Sequence, residues 1–283
     1  MSEQTATAAA AGTIDIGGDI TVNRLGFGAM RITGNGVWGP PPDEEAAKAV
    51  LRRAVELDVN FIDTADSYGP EVSERLIAEA LSPYPDDLVI ATKGGLTRSG
   101  PNRWDRDGRP EHLRAACEGS LTRLRLDQIP LYQLHAPDAK VPIEESVGAL
   151  AALKDEGKIR HVGLSNVSED EYRRAEAVTP IVSIQNRYNA SDRTSESIVD
   201  LCEIEDMAFL PWAPIQGGND DPVVKEIADR YRLSARQVML AWLLWRSQAV
   251  LPIPGTGSVE HLEQNIAAAG AGIDPHDLSR MKS

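Results

Sequence analysis

The chain has 283 residues, of which 42% are hydrophobic and 25% charged, and this balance supplies enough apolar material for a large core. Its 29 Lys and Arg residues against 43 Asp and Glu residues give a formal net charge of −14. That charge repels a phosphate backbone, so we expect no nucleic-acid partner. The length suits one large α/β barrel or two smaller domains.

The cysteines and the amino terminus contain no sign of a metal knuckle, a redox motif or an export signal. Cys117 and Cys202 are expected to be buried reduced thiols, which is typical of a cytoplasmic protein. Residues 1–12 have an alanine run without a basic segment or a long apolar core, so they predict a disordered lead-in. No stretch reaches the length of a transmembrane helix, and we expect no membrane partner.

From residue 13 onward, strand and helix patterns alternate through what we interpret as a single domain, 13–283. The first element is a hairpin around the turn Gly17-Gly18-Asp19. Eight later segments indicate strands, most of them continuous apolar runs typical of parallel strands buried on both faces: 25–28, 60–62, 88–92, 129–134, 161–164, 181–185, 208–212 and 250–253.

Helical periodicity fills the intervals between these strands, beginning with 43–57, where Asp43 is a plausible N-cap. The other predicted helices are 72–81, 110–126, 143–157, 169–178, 194–206, 222–232, 235–247 and 259–269. Repeated βα units with eight strands predict a closed (β/α)8 TIM barrel, here with an N-terminal hairpin and a short C-terminal tail.

Four polar residues follow predicted barrel strands at the points where those strands end. Asp63 and Tyr68 come just past the second barrel strand, Lys93 past the third, and His135 past the fourth. The carboxyl ends of barrel strands are where α/β barrels perform chemistry. Each residue alone also has a structural explanation, such as a cap, a salt bridge or packing. Together, in this order, they predict one catalytic cluster.

These residue types suit the reduction of a carbonyl group. A tyrosine hydroxyl, with an ordinary pKa near ~10, is a protonated but weak acid. A nearby ammonium lowers that pKa, and a carboxylate beside the ammonium keeps it charged. A histidine next to the phenol can polarise the carbonyl or relay a proton. Asp66 has no such part, and we expect it to be structural.

In this order and context, Asp63, Tyr68, Lys93 and His135 resemble the catalytic tetrad of the aldo-keto reductases, and almost the whole chain resembles that family. The resemblance implies that Tyr68 is the general acid, that Lys93 and Asp63 tune it, and that His135 orients the carbonyl. The segments GFGAMRITGNGVWGPP, LHAPD and IPGTGSVEHLEQN are most similar to a bacterial branch that includes pyridoxal reductases (pyridoxine 4-dehydrogenases). A pyridoxal-type substrate follows as an expectation.

The cofactor side lacks a GxGxxG motif, because Gly26-Phe27-Gly28 has no third glycine. The resemblance instead implies NADP(H), with NAD(H) also accepted, extended across the strand ends. It assigns Ser165, Asn166 and Gln185 to the nicotinamide carboxamide and Trp212 to stacking on the nicotinamide, although a core tryptophan at a strand end is the alternative. The other implied cofactor contacts are Gly28, Ala29, Met30, Pro214, Ile215, Gln216, Gly217, Ile253, Gly255, Thr256, His261, Gln264 and Asn265.

The segment 253–265 resembles the family's adenosine-phosphate clamp but departs from it at two positions. A frequent lysine is Gly255 here, and a frequent arginine, which would bind a 2′-phosphate with two parallel hydrogen bonds, is His261. We therefore expect NADPH to be preferred over NADH, but by less than in relatives that keep both basic residues.

Two long loops predict a substrate pocket at the carboxyl ends of the strands: 31–42, which carries Trp38, and 94–109, which carries Trp104. The alternative is that both are surface loops that do not form a pocket. The chain after Asn265 is short, whereas many family members have a longer tail over the substrate, so we expect an open pocket.

Three functions stay open from the sequence. The first is reduction of a small aldehyde or ketone with NADP(H), and the second is an alcohol dehydrogenase working in the oxidative direction. The third is a nicotinamide-nucleotide-binding regulatory subunit, like the barrel β-subunits of potassium channels. No His/carboxylate ligand set is recognisable, so we expect no metal.

Overall fold

A computed structural model of the chain describes residues 6–281. Its strands are β1 Thr13–Ile16, β2 Ile20–Asn23, β3 Phe27–Gly28, β4 Phe61–Asp63, β5 Val89–Gly94, β6 Leu96–Gly100, β7 Arg103–Arg106, β8 Ile129–Leu134, β9 Ile159–Ser165, β10 Ile181–Gln185 and β11 Ala208–Phe209. Its α-helices are α1 Glu44–Glu56, α2 Val72–Leu81, α3 Pro110–Leu124, α4 Ile143–Asp155, α5 Glu169–Glu176, α6 Glu196–Ile204, α7 Pro222–Tyr231, α8 Ala235–Arg246, α9 Val259–Ile266 and α10 Pro275–Ser279.

Seven parallel strands form one sheet in the order β3-β4-β5-β8-β9-β10-β11. The chain segment 249–254 closes this sheet into a barrel. The Leu251 N–H donates to the Phe209 carbonyl on one side (2.9 Å), and the Gly26 N–H donates to the Pro252 carbonyl on the other (2.9 Å). The predicted (β/α)8 barrel is confirmed, and its closure removes the open edges that a flat sheet would expose.

The N-terminal hairpin forms as predicted and covers the amino-terminal end of the barrel. Ile16, Ile20 and Val22 are buried in one cluster with barrel residues such as Phe61 and Leu131. At the hairpin turn, the Asp19 carboxylate lies 2.6 Å from His161 Nε2 and also pairs with Arg160 of the same strand. Since this end of the barrel is covered, the opposite end is the one open to a ligand.

The predicted helices lie outside the sheet with their apolar faces turned inward. In α1, Asp43 accepts a hydrogen bond from the Ala46 N–H (2.9 Å) and so caps the helix. The buried residues Ala47, Val50, Leu51 and Ala54 repeat at helical spacing on one face. This packing confirms the interpretation of the apolar period as helix.

The structure differs from the sequence-based prediction at the amino terminus and in one loop. Part of the expected lead-in is ordered, because Ala8–Ala11 form a 3₁₀ helix in which Ala8 is fully buried and donates to the Leu57 carbonyl (2.9 Å). Residues 1–5 lie outside the described residues. The loop 94–109 contains the hairpin of β6 and β7, whose strands pair antiparallel.

Three predicted barrel strands are shorter than expected: 25–28 is reduced to β3 Phe27–Gly28, 208–212 is reduced to β11 Ala208–Phe209, and 250–253 forms no regular ladder. The segment 250–253 makes only single bridging hydrogen bonds, because Pro252 and the following Pro254 have no N–H to donate. Pro211 ends β11 early for the same reason.

Cys117 and Cys202 are buried and free, and burial raises the pKa of each thiol to about 12. Within residues 6–281, every helix is too short or too polar to cross a membrane.

Candidate active site

A buried ion pair lies at the open end of the barrel, where β4 and β5 run side by side. Asp63 is the last residue of β4 and pairs with Ala91, and Lys93 lies two residues further along β5, with its side chain on the same face. The Lys93 Nζ is 2.6 Å from Asp63 Oδ2 and donates a second hydrogen bond to the Thr64 carbonyl (2.8 Å). Both charged side chains are almost fully buried.

The second oxygen of this carboxylate is also satisfied. Asp63 Oδ1 accepts hydrogen bonds from Gln185 Nε2 (2.8 Å) and Gln133 Nε2 (3.3 Å). Burial alone would lower the pKa of Lys93, but Asp63 and Tyr68 outweigh it and hold that pKa above its ordinary value. The ammonium is therefore charged, as a buried ion needs partners to be.

Tyr68 lies directly beside this pair. The Lys93 Nζ is 5.3 Å from the centroid of the Tyr68 ring, and the tyrosine is 7% exposed. Burial raises the pKa of Tyr68, Asp63 adds to the increase, and Lys93 only partly offsets it. Lys93 thus acts on this pKa in the expected direction, although burial outweighs it. The phenol is thus firmly protonated, which suits a proton donor.

His135 follows β8 and contacts Tyr68 edge to face, with 5.7 Å between ring centroids. Its Nδ1 lies 3.3 Å from the hydroxyl of Ser67. Burial, with Lys93 and Arg98 nearby, holds the pKa of His135 well below its ordinary value, so the imidazole is neutral and keeps one N–H. The structure thus brings together all four side chains of the predicted cluster.

The two pocket tryptophans occupy different positions. Trp104, on β7, has its ring centroid 6.3 Å from those of both Tyr68 and His135, so it borders the cluster directly. Trp38 pairs through its backbone with Gly69, next to Tyr68. Both indoles are about one-third exposed, at 36% for Trp38 and 37% for Trp104. Their loops lie over the open end of the barrel.

Sequence reasoning found no role for Arg98, which lies in the loop that carries Trp104 and contacts the loop that carries Trp38. Its guanidinium lies 3.7 Å from the centroid of the Trp104 ring and 5.8 Å from that of Trp38. A single arginine in a loop has no periodic or motif signal, so only the fold reveals this neighbourhood.

The side chains predicted to hold the nicotinamide form a connected group. Asn166 donates to the His135 carbonyl (3.0 Å) and accepts from the Trp212 indole N–H (3.0 Å). Ser165 donates to the Gln185 carbonyl (2.8 Å). The Gln185 side chain is buried in the barrel mouth, where its Nε2 donates to Asp63. Trp212 is partly exposed beside Asn166 rather than a core residue.

The predicted phosphate segment approaches β3 very closely. A Cβ added to Gly255 would lie 2.4 Å from the Gly28 carbonyl oxygen, and one added to Gly28 would lie 2.6 Å from the Ile253 carbonyl oxygen. Only glycine fits both positions with this backbone. The lysine that the family often has at Gly255 would therefore require a shift of the main chain.

Arg31 is a basic residue next to Gly255, and sequence reasoning missed it. Its Cγ lies 3.7 Å from the Cβ position of Gly255. Among residues 6–281 it has no ion pair or hydrogen bond through its side chain, and it is exposed. The stem of an arginine side chain thus passes Gly255, contributed by the chain that follows β3.

The start of α9 has its own hydrogen bonds. Thr256 accepts from the Ser258 N–H (3.1 Å), and Ser258 caps α9 by accepting from the His261 N–H (3.4 Å). His261 and Gln264 are exposed, and Gln264 donates to Glu260 (3.3 Å).

Among the other implied cofactor contacts, Gln216 and Gly217 are exposed, and Pro214, which precedes them, is buried.

Asp66 lies next to the predicted cluster, with its backbone N–H donating to the Lys93 carbonyl (3.3 Å). Burial, together with Glu74, raises the pKa of Asp66 well above its ordinary value, so this carboxyl is neutral. Glu74 is itself fixed by hydrogen bonds from Thr92 (2.6 Å) and Arg123 (2.7 Å). The structural role expected for Asp66 stays a prediction.

Comparison with known proteins agrees with this geometry. Residues 24–283 match the family model described as "Aldo/keto reductase family". An uncharacterized oxidoreductase of Schizosaccharomyces pombe is 49% identical over 277 residues, which cover 97% of this chain and 90% of that protein. Pyridoxine 4-dehydrogenase of Escherichia coli is 39% identical over 273 residues, covering 93% and 95%. A glycerol dehydrogenase structure from Gluconobacter oxydans superposes with a TM-score of 0.84 at 27% identity, covering 96% and 94%. The chain belongs to the aldo/keto reductase family, which confirms the resemblance inferred from its sequence.

Proposed function

We propose that the protein reduces an aldehyde or ketone to an alcohol with NADP(H), within a single domain spanning residues 13–283. One observation supports this above all: a charged Lys93, bound to Asp63, lies against a protonated Tyr68 that contacts a neutral His135. A carbonyl reduction needs a proton donor that is held in place and protonated at neutral pH.

In this proposal Tyr68 is the general acid and donates its O–H proton to the carbonyl oxygen as negative charge develops there. Lys93 lies where it stabilises the phenolate that remains, and Asp63 keeps Lys93 charged and oriented. The neutral His135 orients the carbonyl through its N–H. When bound, the reduced nicotinamide supplies the hydride that the carbonyl carbon receives.

The chain's residues fit such a cofactor. Asn166 and Trp212 offer a polar group and an indole face beside the cluster. Further along, the close approach of Gly28 and Gly255 leaves backbone with no side chain in the way, as a phosphate needs. We infer that Arg31 supplies the positive charge that Gly255 and His261 do not, so that NADPH is preferred over NADH and NADH is still accepted.

A pyridoxal-type substrate is supported by the relative in Escherichia coli, which is named pyridoxine 4-dehydrogenase. The indoles of Trp38 and Trp104 favour a flat aromatic substrate. The same relative and the glycerol dehydrogenase of Gluconobacter oxydans are named for alcohol oxidation, which favours the oxidative direction as a second candidate. The chemistry at Tyr68 is the same in both directions, with the phenolate accepting the alcohol proton.

A purely regulatory nucleotide-binding role is the third candidate, and the complete cluster argues against it. A subunit without turnover has no need for a buried ion pair against a tyrosine, because such a pair does little for stability.

The test is a carbonyl panel that includes pyridoxal, run with NADPH and with NADH, and in reverse with pyridoxine and NADP⁺. We expect steady turnover of pyridoxal with NADPH and slower turnover with NADH. Tight NADPH binding without turnover of any carbonyl or alcohol would refute the proposal in favour of the regulatory role.

A further inference from the structure

Arg98 uses every hydrogen-bond donor it has on backbone carbonyl groups. An arginine side chain has five N–H groups in a planar fork. Here Nε donates to the Arg103 carbonyl (2.8 Å), Nη1 to those of Val37 (2.7 Å) and Ser67 (3.0 Å), and Nη2 to those of Gly36 (2.9 Å) and Gly100 (3.3 Å).

These acceptors lie in three separate parts of the pocket. Gly36 and Val37 are in the loop that carries Trp38, and Ser67 directly precedes Tyr68. Gly100 and Arg103 lie on either side of the turn in the hairpin that carries Trp104. The guanidinium forms no ion pair among the residues that the structure describes. Its charge is instead held by carbonyl dipoles and aromatic faces.

The same guanidinium also packs against the aromatic side chains that border the pocket. It is 3.7 Å from the centroid of the Trp104 ring, and the rings of Tyr68 and His135 lie edge to face with the same indole. The residue therefore connects Trp104 with the turn that carries the proposed acid. Displacement of either would change the space in which a carbonyl compound must lie.

We propose that Arg98 is the positioning residue of the substrate pocket: it holds Trp104 and the Ser67–Tyr68 turn at a fixed separation, which selects flat aromatic aldehydes over aliphatic ones. This inference rests on the proposed function. Because its five donors are occupied, Arg98 does not bind an anionic group of the substrate. A lysine cannot replace it, since an ammonium has three donors and no planar fork.

The experiment compares Arg98→Lys and Arg98→Ala with wild type, using benzaldehyde and propanal as substrates. Arg103→Lys and Arg103→Ala are matched controls, since that arginine lies on the same hairpin and its side chain has no hydrogen bond or ion pair with the described residues. For both Arg98 variants we expect kcat/KM for benzaldehyde to fall about 10- to 100-fold, mainly through KM, because displaced pocket residues position the substrate less well. We expect kcat/KM for propanal to fall several-fold less than for benzaldehyde, because both need the Ser67–Tyr68 turn but only the aromatic ring packs on Trp104, and we expect the NADPH dissociation constant to change little.

Two further measurements separate positioning from charge. With 4-carboxybenzaldehyde, the Arg98 variants should lose the same factor as with benzaldehyde, because no donor of Arg98 is free for a carboxylate. Added methylguanidinium should restore much of the benzaldehyde kcat/KM of Arg98→Ala, whereas ethylammonium, which lacks the planar fork, should not.

Several results would overturn the inference. These are a wild-type KM for benzaldehyde in Arg98→Lys, an equal loss for propanal and benzaldehyde, a selective loss for 4-carboxybenzaldehyde, or a lower melting temperature with unchanged kinetics. If Arg98→Ala does not fold, Arg98→Lys still decides, because it keeps the charge and the apolar stem. If wild type turns over pyridoxal but neither benzaldehyde nor 4-carboxybenzaldehyde, this inference fails and the proposed function stands. If wild type turns over no carbonyl compound at all, the proposed function fails, and this inference fails with it.

Discussion

The Lys93 ammonium lies 2.6 Å from the Asp63 carboxylate, and neither charge has appreciable contact with solvent. Removing one partner of a buried pair leaves an uncompensated charge, whereas replacing both partners removes the problem. The pair therefore offers a way to separate stability from chemistry.

We expect Lys93→Met and Asp63→Asn each to lower the free energy of unfolding by about 3–5 kcal/mol, because each leaves one buried charge unpaired. The double variant should regain most of that stability. All three should lack measurable turnover. Lys93→Met and the double variant remove the ammonium beside Tyr68, and Asp63→Asn removes the partner that keeps this ammonium charged and oriented. Urea denaturation and kcat, measured on the same preparations, check this.

Additive losses in the double variant would contradict this account, because they would mean that the two charges do not interact. Turnover that returned together with stability would show that the pair serves the fold and not the reaction.

His135 makes the free energy of unfolding depend on pH. Burial first, then Lys93 and Arg98, lower its pKa in the folded protein, so the unfolded chain binds more protons around and below the ordinary histidine pKa of ~6.5. The contribution is complete above that value and is lost as the pH falls, by up to about 1.4 kcal/mol per pH unit. Wild type should therefore lose more stability than His135→Gln between about pH 7.5 and about pH 5.

Parallel stability curves for wild type and His135→Gln would show that the pKa of the imidazole is the same in the folded and the unfolded protein. The variant is a matched control, because glutamine stays neutral and every other histidine is retained.

Cofactor preference should depend on Arg31. Arg31→Ala should weaken NADPH binding by about 10-fold, the loss of one charged hydrogen bond to phosphate, and weaken NADH binding less. His261→Arg should strengthen NADPH binding selectively, because a guanidinium binds phosphate oxygens with two parallel bonds. Fluorescence titration of the free enzyme measures both without turnover.

An equal effect of Arg31→Ala on NADPH and NADH would assign the arginine to the pyrophosphate, which both cofactors share. No effect on either would show that the charge beside Gly255 binds no phosphate.

The barrel and the cluster of Asp63, Tyr68, Lys93 and His135 could be predicted from sequence for a simple reason. Continuous apolar runs indicate buried parallel strands, and the residue after each run must lie at the same open end. Adjacent strands then bring Asp63 and Lys93 together whatever their loops do.

Other features depend on contacts that the sequence does not encode locally. Arg98 binds carbonyls up to 62 residues away in the chain, and Arg31 meets Gly255 only because the barrel closes. Lys93 acts to lower the pKa of Tyr68 as expected, yet burial, which depends on the surrounding loops, outweighs it and raises that pKa. The alanine run at Ala8–Ala11 is ordered because it packs next to Leu57 at the end of α1.

The proposed role of Tyr68 as general acid is tested most directly by Tyr68→Phe. The measurement is kcat for pyridoxal reduction with saturating NADPH, together with the NADPH dissociation constant, in wild type and variant. We expect kcat to fall by roughly 10²–10⁴-fold with the dissociation constant almost unchanged, because the hydroxyl acts only in the transition state. A kcat within a few-fold of wild type would show that another group donates the proton and would contradict the account.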